Sequence, residues 1–228
     1  MGDFVEKYEG SKNENGLPHG KGKNVSYDSN GKINSIEDGI WKNGFLIEGS
    51  EIIYSINNDD GKWSIKKEVG KYRYDEEKDF CEENLSGEGE ELYYKNEEDL
   101  KNDKPIGYVK GIFDDGRLLK GEILNPSLTD YSEEKGIRKI IYDGTEREIW
   151  DENQKINLRL RKGKIYYEVL PLNELPTDEV DINRPEGQGI EYEGEIDYDT
   201  PHGDGEMTFE NGSKKKGFWQ NGSIYWDE

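Results

Sequence analysis

The sequence predicts an all-β protein: an elongated, single-layer antiparallel sheet of repeated hairpins, with little or no helix. Three observations carry that expectation. Turn dipeptides recur along the chain, Asn-Gly at Asn30-Gly31, Asn43-Gly44, Asn211-Gly212 and Asn221-Gly222, and Asp-Gly at Asp60-Gly61, Asp115-Gly116 and Asp143-Gly144. Both central residues of a type I′ hairpin turn need positive φ, which these pairs adopt at least cost. The composition favours strands: 15 tyrosines, 28 glycines and no alanine among 228 residues, where aromatic and β-branched residues suit a pleated surface and alanine suits a helix. Finally, hydrophobic residues make up only 31% of the chain while aromatics reach 11%. That is too little for a thick two-layer core and enough for one aromatic face. The regular recurrence of the aromatics also separates the chain from a disordered one, despite its net charge of −21.

Taken in order, residues 8–49 read as a clear repeat of glycines, aromatics and turns. Residues 50–191 keep the turns but lose much of the pattern. Within them, 75–104 is an acidic insertion that predicts a loop or a short helix. "IRKIIYDGTEREIW" (Ile137 to Trp150) reads as a hairpin across Asp143-Gly144, and "KINLRLRKGKIYYEVL" (Lys155 to Leu170) as the next, turning near Lys162-Gly163. Residues 171–187 hold three prolines and read as a long crossing loop. The clear repeat returns at 192–222. No Gly/Ser linker divides the chain, so the expectation is one domain over 1–228. It should hold about 12 to 16 strands, spanning about 60–75 Å at ~4.8 Å per strand.

The two terminal stretches share an order of landmarks. "PHGKG" at Pro18 to Gly22 returns as "PHGDG" at Pro201 to Gly205, and the glycines at 10, 20, 22, 31, 39 and 44 match those at 194, 203, 205, 212, 217 and 222. This pattern resembles the MORN repeat, with its Tyr-x-Gly start, His-Gly-x-Gly step, Asn-Gly turn and closing Gly-x-Trp. The resemblance is specific over 8–49 and 192–222 and weak between them. It implies one hairpin per repeat in a single-layer sheet, and a scaffold that grips a helix or extended segment of a partner. Some bacterial immunity proteins carry similar MORN-like repeats.

The residues that could carry chemistry read as structural. His19 and His202 are the only histidines, each sits where the repeat itself places one, and 183 residues separate them. "DYDTPHGDGE" (Asp197 to Glu206) gathers oxygen ligands, but Pro201 breaks the spacing of a calcium loop. Cys81 stands alone, which excludes an intrachain disulfide and a zinc site built on thiolates, and its acidic neighbours weaken it as a nucleophile. "GKGKNV" and "GEGEEL" lack the third glycine and following helix of a phosphate loop. The expectation is therefore no enzyme, no metal and no cofactor. With no signal-peptide pattern and no apolar run of about 20 residues, the chain reads as soluble and cytoplasmic.

Charge is the remaining feature, and it is uneven. Residues 72–104 carry 13 acids against 5 bases and 165–211 carry 14 against one, while 135–164 carry 9 bases against 5 acids. Solvation of a thin sheet explains part of this. The sharper expectation is a non-catalytic module that binds a basic protein, in particular an acidic inhibitor that mimics nucleic acid to block a nucleic-acid-processing enzyme, as toxin immunity proteins and phage anti-defence inhibitors do. No direct nucleic-acid binding is expected, and repulsion from anionic headgroups argues against membrane. The alternative is a repeat scaffold in a cytoskeletal or junctional assembly. Candidate contacts are an aromatic groove of Tyr8, Trp41, Tyr94, Tyr192 and Trp219, and an acidic set of Glu88, Glu90, Glu91, Glu193, Asp197 and Asp199.

Overall fold

The computed structural model describes residues 5–54, 64–125, 137–151, 156–167, 188–197 and 199–227. Among them are fourteen strands and one short helix, so the expected antiparallel all-β meander is what the chain forms. The loop expected at 171–187 and the turn at Asp60-Gly61 lie outside the described residues. The chain divides into two compact units, Met1–Leu119 and Lys120–Glu228.

The first unit holds β1 (Val5–Lys12), β2 (Pro18–Tyr27), β3 (Ile33–Lys42), β4 (Phe45–Tyr54), β5 (Ile65–Asp75), β6 (Phe80–Tyr94), helix α1 (Glu97–Lys101) and β7 (Gly107–Asp114). The division falls inside β8 (Arg117–Leu124). The second unit continues with β9 (Ile137–Asp151), β10 (Ile156–Tyr167), β11 (Gly189–Asp197), β12 (Thr200–Phe209), β13 (Lys214–Gln220) and β14 (Ser223–Asp227). Within each unit every strand pairs antiparallel with its neighbours in the chain. At Asn43-Gly44, Asp115-Gly116 and Asn221-Gly222 both turn residues have positive φ, as type I′ turns require.

A row of glycines registers the first unit. Gly10, Gly22, Gly39, Gly49, Gly70, Gly89 and Gly111 face one another in succession across seven strands. The reason is steric: a Cβ on Gly39 would stand 2.1 Å from the Glu48 carbonyl oxygen and 2.7 Å from the Gly49 Cα. The second unit repeats the row through Gly121, Tyr142, Gly163, Gly194, Gly205 and Gly217, with Tyr142 the one residue that is not glycine.

The His-Gly step proves to be a bulge beside this row. Between the pairs Gly194–Gly205 and Ile196–Pro201, three residues of β12 lie opposite one of β11, and Gly203 takes φ +68° to allow it. The first copy does the same between Gly10–Gly22 and Lys12–Pro18. Two expected hairpins are corrected on this ground. Asp143-Gly144 does not reverse the chain: β9 runs through it as one strand, and residues 143–145 bulge opposite Lys162. Lys162-Gly163 likewise lies within the continuous β10. A bulge and a hairpin turn both recruit a positive-φ glycine, and the dipeptide alone does not tell them apart.

The acidic insertion 75–104 is mostly strand, the 15-residue β6, followed by the short helix. Asn96 caps α1 by accepting from the Asp99 amide at 3.0 Å, and Leu100 packs on the cluster of Ile65, Leu92 and Tyr94. No helix among the described residues is long and apolar enough to cross a membrane.

Candidate functional site

Side chains two residues from each row glycine share its face of the sheet. In the second unit that neighbouring row reads Ile123, Ile140, Ile165, Tyr192 and Met207, paired in succession across five strands and all buried. This is the composition expected of a row that the sheet covers. In the first unit the corresponding row reads Tyr8, Asn24, Glu37, Glu51, Glu68, Glu91 and Val109, again paired strand to strand. Four consecutive glutamates occupy a row whose counterpart in the second unit is apolar over five strands and continues to Lys215 on β13.

On the other side of the glycines stand Trp41 on β3 and Tyr72 on β5, two residues beyond Gly39 and Gly70. Because glycine has no side chain, the face dips between carboxylates and aromatics. A cavity of about 510 Å³ lies there, lined by Glu37, Glu51, Glu68 and Glu82, by Lys66, and by Trp41, Phe45, Tyr72, Phe80 and Cys81 among others. Phe80 is 51% exposed and stands edge-on to Phe45, ring centroids 6.4 Å apart.

The carboxylates are held in unequal states. Glu68 and Glu91 are 7% and 5% exposed, and Lys66 bridges them at 2.5 and 3.5 Å. Burial alone would depress the Lys66 ammonium, but Glu91 and Glu68 together hold it above its usual value. Glu91 also accepts from the Tyr93 hydroxyl at 3.0 Å, yet burial still pushes its carboxyl upward. Burial raises Glu37 as well, against the Asn24 amide that donates to it at 2.9 Å. Burial, and then the charges of Glu68, Glu51 and Glu37, drive the Tyr72 hydroxyl well above its ordinary range. Such a site favours a positive charge. Among the described residues no three His, Cys, Asp or Glu side chains converge to hold a metal ion.

The aromatic residues expected to form a groove are placed within their own repeats. Tyr8 meets Trp41 edge-on at 5.4 Å, and Tyr192 meets Trp219 in the same way at 5.5 Å. Trp41 donates its indole N–H to the Gly22 carbonyl at 2.9 Å, and Trp219 to that of Gly205 at 3.0 Å. Tyr94 is buried and donates to Asp103. Trp41, Tyr94, Tyr192 and Trp219 are all buried and Tyr8 is half-buried, so this set pins strands together. Of the five, only Trp41 lines the cavity.

The expected acidic set is divided by the pleat. Glu88 is exposed and Glu90, half-buried, pairs with Lys110 at 3.0 Å, while Glu91 turns into the carboxylate row. Glu193 is exposed and pairs with Lys164 at 2.7 Å. Asp197 is half-buried and Asp199 buried, and both charges act on Tyr142, whose hydroxyl burial pushes up to about 12. Arg161 stacks over that same ring, 3.9 Å from its centroid. His202 is buried edge-on to Phe218 at 6.4 Å, whereas His19 is exposed. Sequence reading missed Glu37, Glu51 and Glu68. Their signal was an offset of two from a row glycine, preceding it at Gly39 and Gly70 and following it at Gly49. Compared with known proteins, the chain matches no protein-family model and no curated sequence.

Proposed function

We propose that this protein is a non-catalytic binding module for a basic protein, acting as an inhibitor of a nucleic-acid-processing enzyme. The observation that carries this reading is the glutamate row of the first unit. Four carboxylates stand in a row that the second unit fills with apolar side chains over five strands before Lys215, and burial raises at least Glu37 and Glu91. Carboxylates one strand apart, at about 4.8 Å, concentrate negative charge on one face of the first unit, offset at Glu68 and Glu91 by Lys66. The net charge of −21 steers a basic partner toward the module and speeds its association.

The test is capture on the immobilised protein from a lysate of its source. Washes at about 50 and about 300 mM salt bracket the range over which steering between exposed charges is screened. The expected result is a basic nucleic-acid enzyme that leaves at the higher salt and whose turnover falls when the protein is added back. A structural protein that survives the high-salt wash would instead support a repeat scaffold and overturn the inhibitor reading.

A further inference from the structure

The chain has five Asn-Gly pairs, beginning at Asn15, Asn30, Asn43, Asn211 and Asn221, and the fold treats them unequally. In such a pair the glycine nitrogen can attack the side-chain carbon of the asparagine, because glycine has no side chain to shield it. Two conditions govern the attack: the glycine N–H must leave its hydrogen bond, and the carboxamide must be free to turn onto the nitrogen. Each hydrogen bond that has to open first slows the step by about two- to tenfold.

Three of the pairs lie in matching turns, 13–17, 28–32 and 209–213. In each, the amide of the first residue donates to the carbonyl of the last, at 2.9, 2.8 and 3.0 Å, and the glycine amide donates back to the carbonyl of the first, at 2.9 Å. The side chains differ. In the third turn the Asn211 Oδ1 accepts from the Ser213 amide at 2.8 Å. In the other two the first residue takes over that acceptance. Asn13 Oδ1 accepts from the amides of Asn15 and Leu17, both at 3.0 Å, and Asp28 Oδ1 from those of Asn30 at 2.9 Å and Lys32 at 2.8 Å. Phe209, at the corresponding place, has no side-chain oxygen to offer. The carboxamides of Asn15 and Asn30 are thereby released: both residues are exposed, and neither side chain makes a hydrogen bond among the described residues. Asn43 is the opposite case, since its carboxamide donates to the Tyr74 hydroxyl and to Asp79 and accepts from Asn13. The glycines after Asn43 and Asn221 are also tied to a neighbouring strand, donating to the carbonyls of Pro18 at 2.9 Å and of buried Pro201 at 3.0 Å.

We propose that Asn15 and Asn30 are self-modifying sites, at which the β1–β2 and β2–β3 turns convert asparagine to aspartate and isoaspartate with water as the only co-reactant. The glycine nitrogen bonds to the asparagine Cγ, the Cγ–Nδ2 bond breaks, and the departing ammonia carries off the glycine amide proton. Water then opens the resulting five-membered imide; its hydroxide stays on the carbon attacked and its proton returns to the glycine nitrogen. Opening at Cγ gives aspartate. Opening at the main-chain carbonyl gives isoaspartate, which routes the backbone through the side chain and lengthens the turn by one carbon. Nothing is oxidised or reduced. Either product adds a negative charge to the first unit, and the strand pairs that flank the turns, Lys12 with Pro18 and Tyr27 with Ile33, are untouched, so the modified chain keeps its fold.

The experiment incubates the full chain at mildly alkaline pH, both native and in concentrated urea, and digests samples at intervals. Mass spectrometry with fragmentation locates each conversion, and an isoaspartyl methyltransferase labels the isoaspartyl product. In the native chain Asn15 and Asn30 should convert about two- to tenfold faster than Asn211, whose carboxamide one hydrogen bond holds, and about tenfold or more faster than Asn43, held by three. Asn221 should also lag behind them. In urea the five sites should converge to within about threefold, because the dipeptide is the same and the turns are gone. The assignment is overturned if Asn43, Asn211 or Asn221 matches or outruns the two, or if the native chain does not convert while the unfolded one does. A ranking that persists unchanged in urea overturns it as well, since local sequence and not the turn would then set the rates. The double variant Asn15→Gln/Asn30→Gln should lose the early product and leave the other three rates unchanged; an early product that survives it sinks the proposal.

Discussion

Replacing Glu51 with isoleucine should make the protein more stable. Glu51 lies directly opposite Glu37 on β3 and Glu68 on β5, and like charges opposite one another in a sheet each cost about 0.2–1 kcal/mol. Removing Glu51 relieves both pairs, for roughly 0.5–1.5 kcal/mol. The new side chain enters a half-buried position, so it recovers about half of the 1.5–3 kcal/mol that full burial of an isoleucine contributes. Loss of the polar contacts of Glu51 itself offsets part of this gain, leaving about 1–2 kcal/mol. The second unit shows that isoleucine suits such a row, since Ile140 and Ile165 face each other there, both fully buried. With a urea slope of about 2 kcal/mol/M, the midpoint should rise by about 0.5–1 M without a change in slope. Circular dichroism through a urea titration measures it, and Glu51→Gln, which removes charge alone, should give about half the shift. A midpoint that falls for Glu51→Ile would show that Glu51 supports the fold, and would refute the argument that the row departs from what the sheet requires.

Three further outcomes follow from the same geometry. Gly39→Ala should cost about 3 kcal/mol or more in thermal or urea unfolding, because its Cβ would strike the backbone of β4 at 2.1 Å and overpacking of this kind cannot relax by a rotamer change; Gly31→Ala, at φ +78° with no atom within 4 Å, should cost only the ~1–2 kcal/mol of the left-handed conformation. The folded-state carboxyls of Glu37 and Glu91 lie above their usual value of 4.5, so the folded chain binds more protons than the unfolded one just above that pH. Stability should therefore rise as pH falls from 7 toward 5, by about 1.4 kcal/mol for each unit by which a carboxyl is raised, and Glu91→Gln should flatten that rise in urea titrations at stepped pH. The Cys81 thiol is buried and pushed up by burial and then by Glu82, so a disulfide reagent at pH 7 should label it about tenfold or more slowly than an exposed cysteine.

The turns were legible because their chemistry is local. At Asn43-Gly44 and Asn221-Gly222 the dipeptide, the positive φ and the chain reversal coincide. The repeated Tyr–Trp pairs were legible for the same reason, since Tyr8 with Trp41 and Tyr192 with Trp219 fall at matching places in the two copies. The bulges were not. Gly144 and Gly203 both bend a strand without reversing it, and only the register shows that three residues then oppose one. The carboxylate row was hidden more deeply. Glu88, Glu90 and Glu91 are near neighbours in the chain, yet the pleat sends Glu91 to the face opposite the other two. Glu37 and Glu68 precede their glycine while Glu51 and Glu91 follow theirs, because successive strands run in opposite directions. Composition registers 52 acids and gives no weight to the four that share a row.

The glutamate row also separates two effects that net charge confounds. Exposed carboxylates such as Glu88 and Glu193 contribute to the long-range field, and that contribution fades over a Debye length of about 8–10 Å. Surface pairs such as Lys164 with Glu193 add little more than that, since exposed ion pairs are worth about 0–1 kcal/mol. Glu37, Glu68 and Glu91 differ because the sheet has already removed much of their water. Their desolvation is met in the folded protein rather than at the moment of binding. The Lys66 ammonium between Glu68 and Glu91 therefore gains more from each contact than it would at the surface. The same burial that leaves the first unit less stable than an isoleucine row would is thus what fits it to hold a cation. Under the proposed function, it is the exposed carboxylates, and not the row, whose field reaches a basic partner before contact.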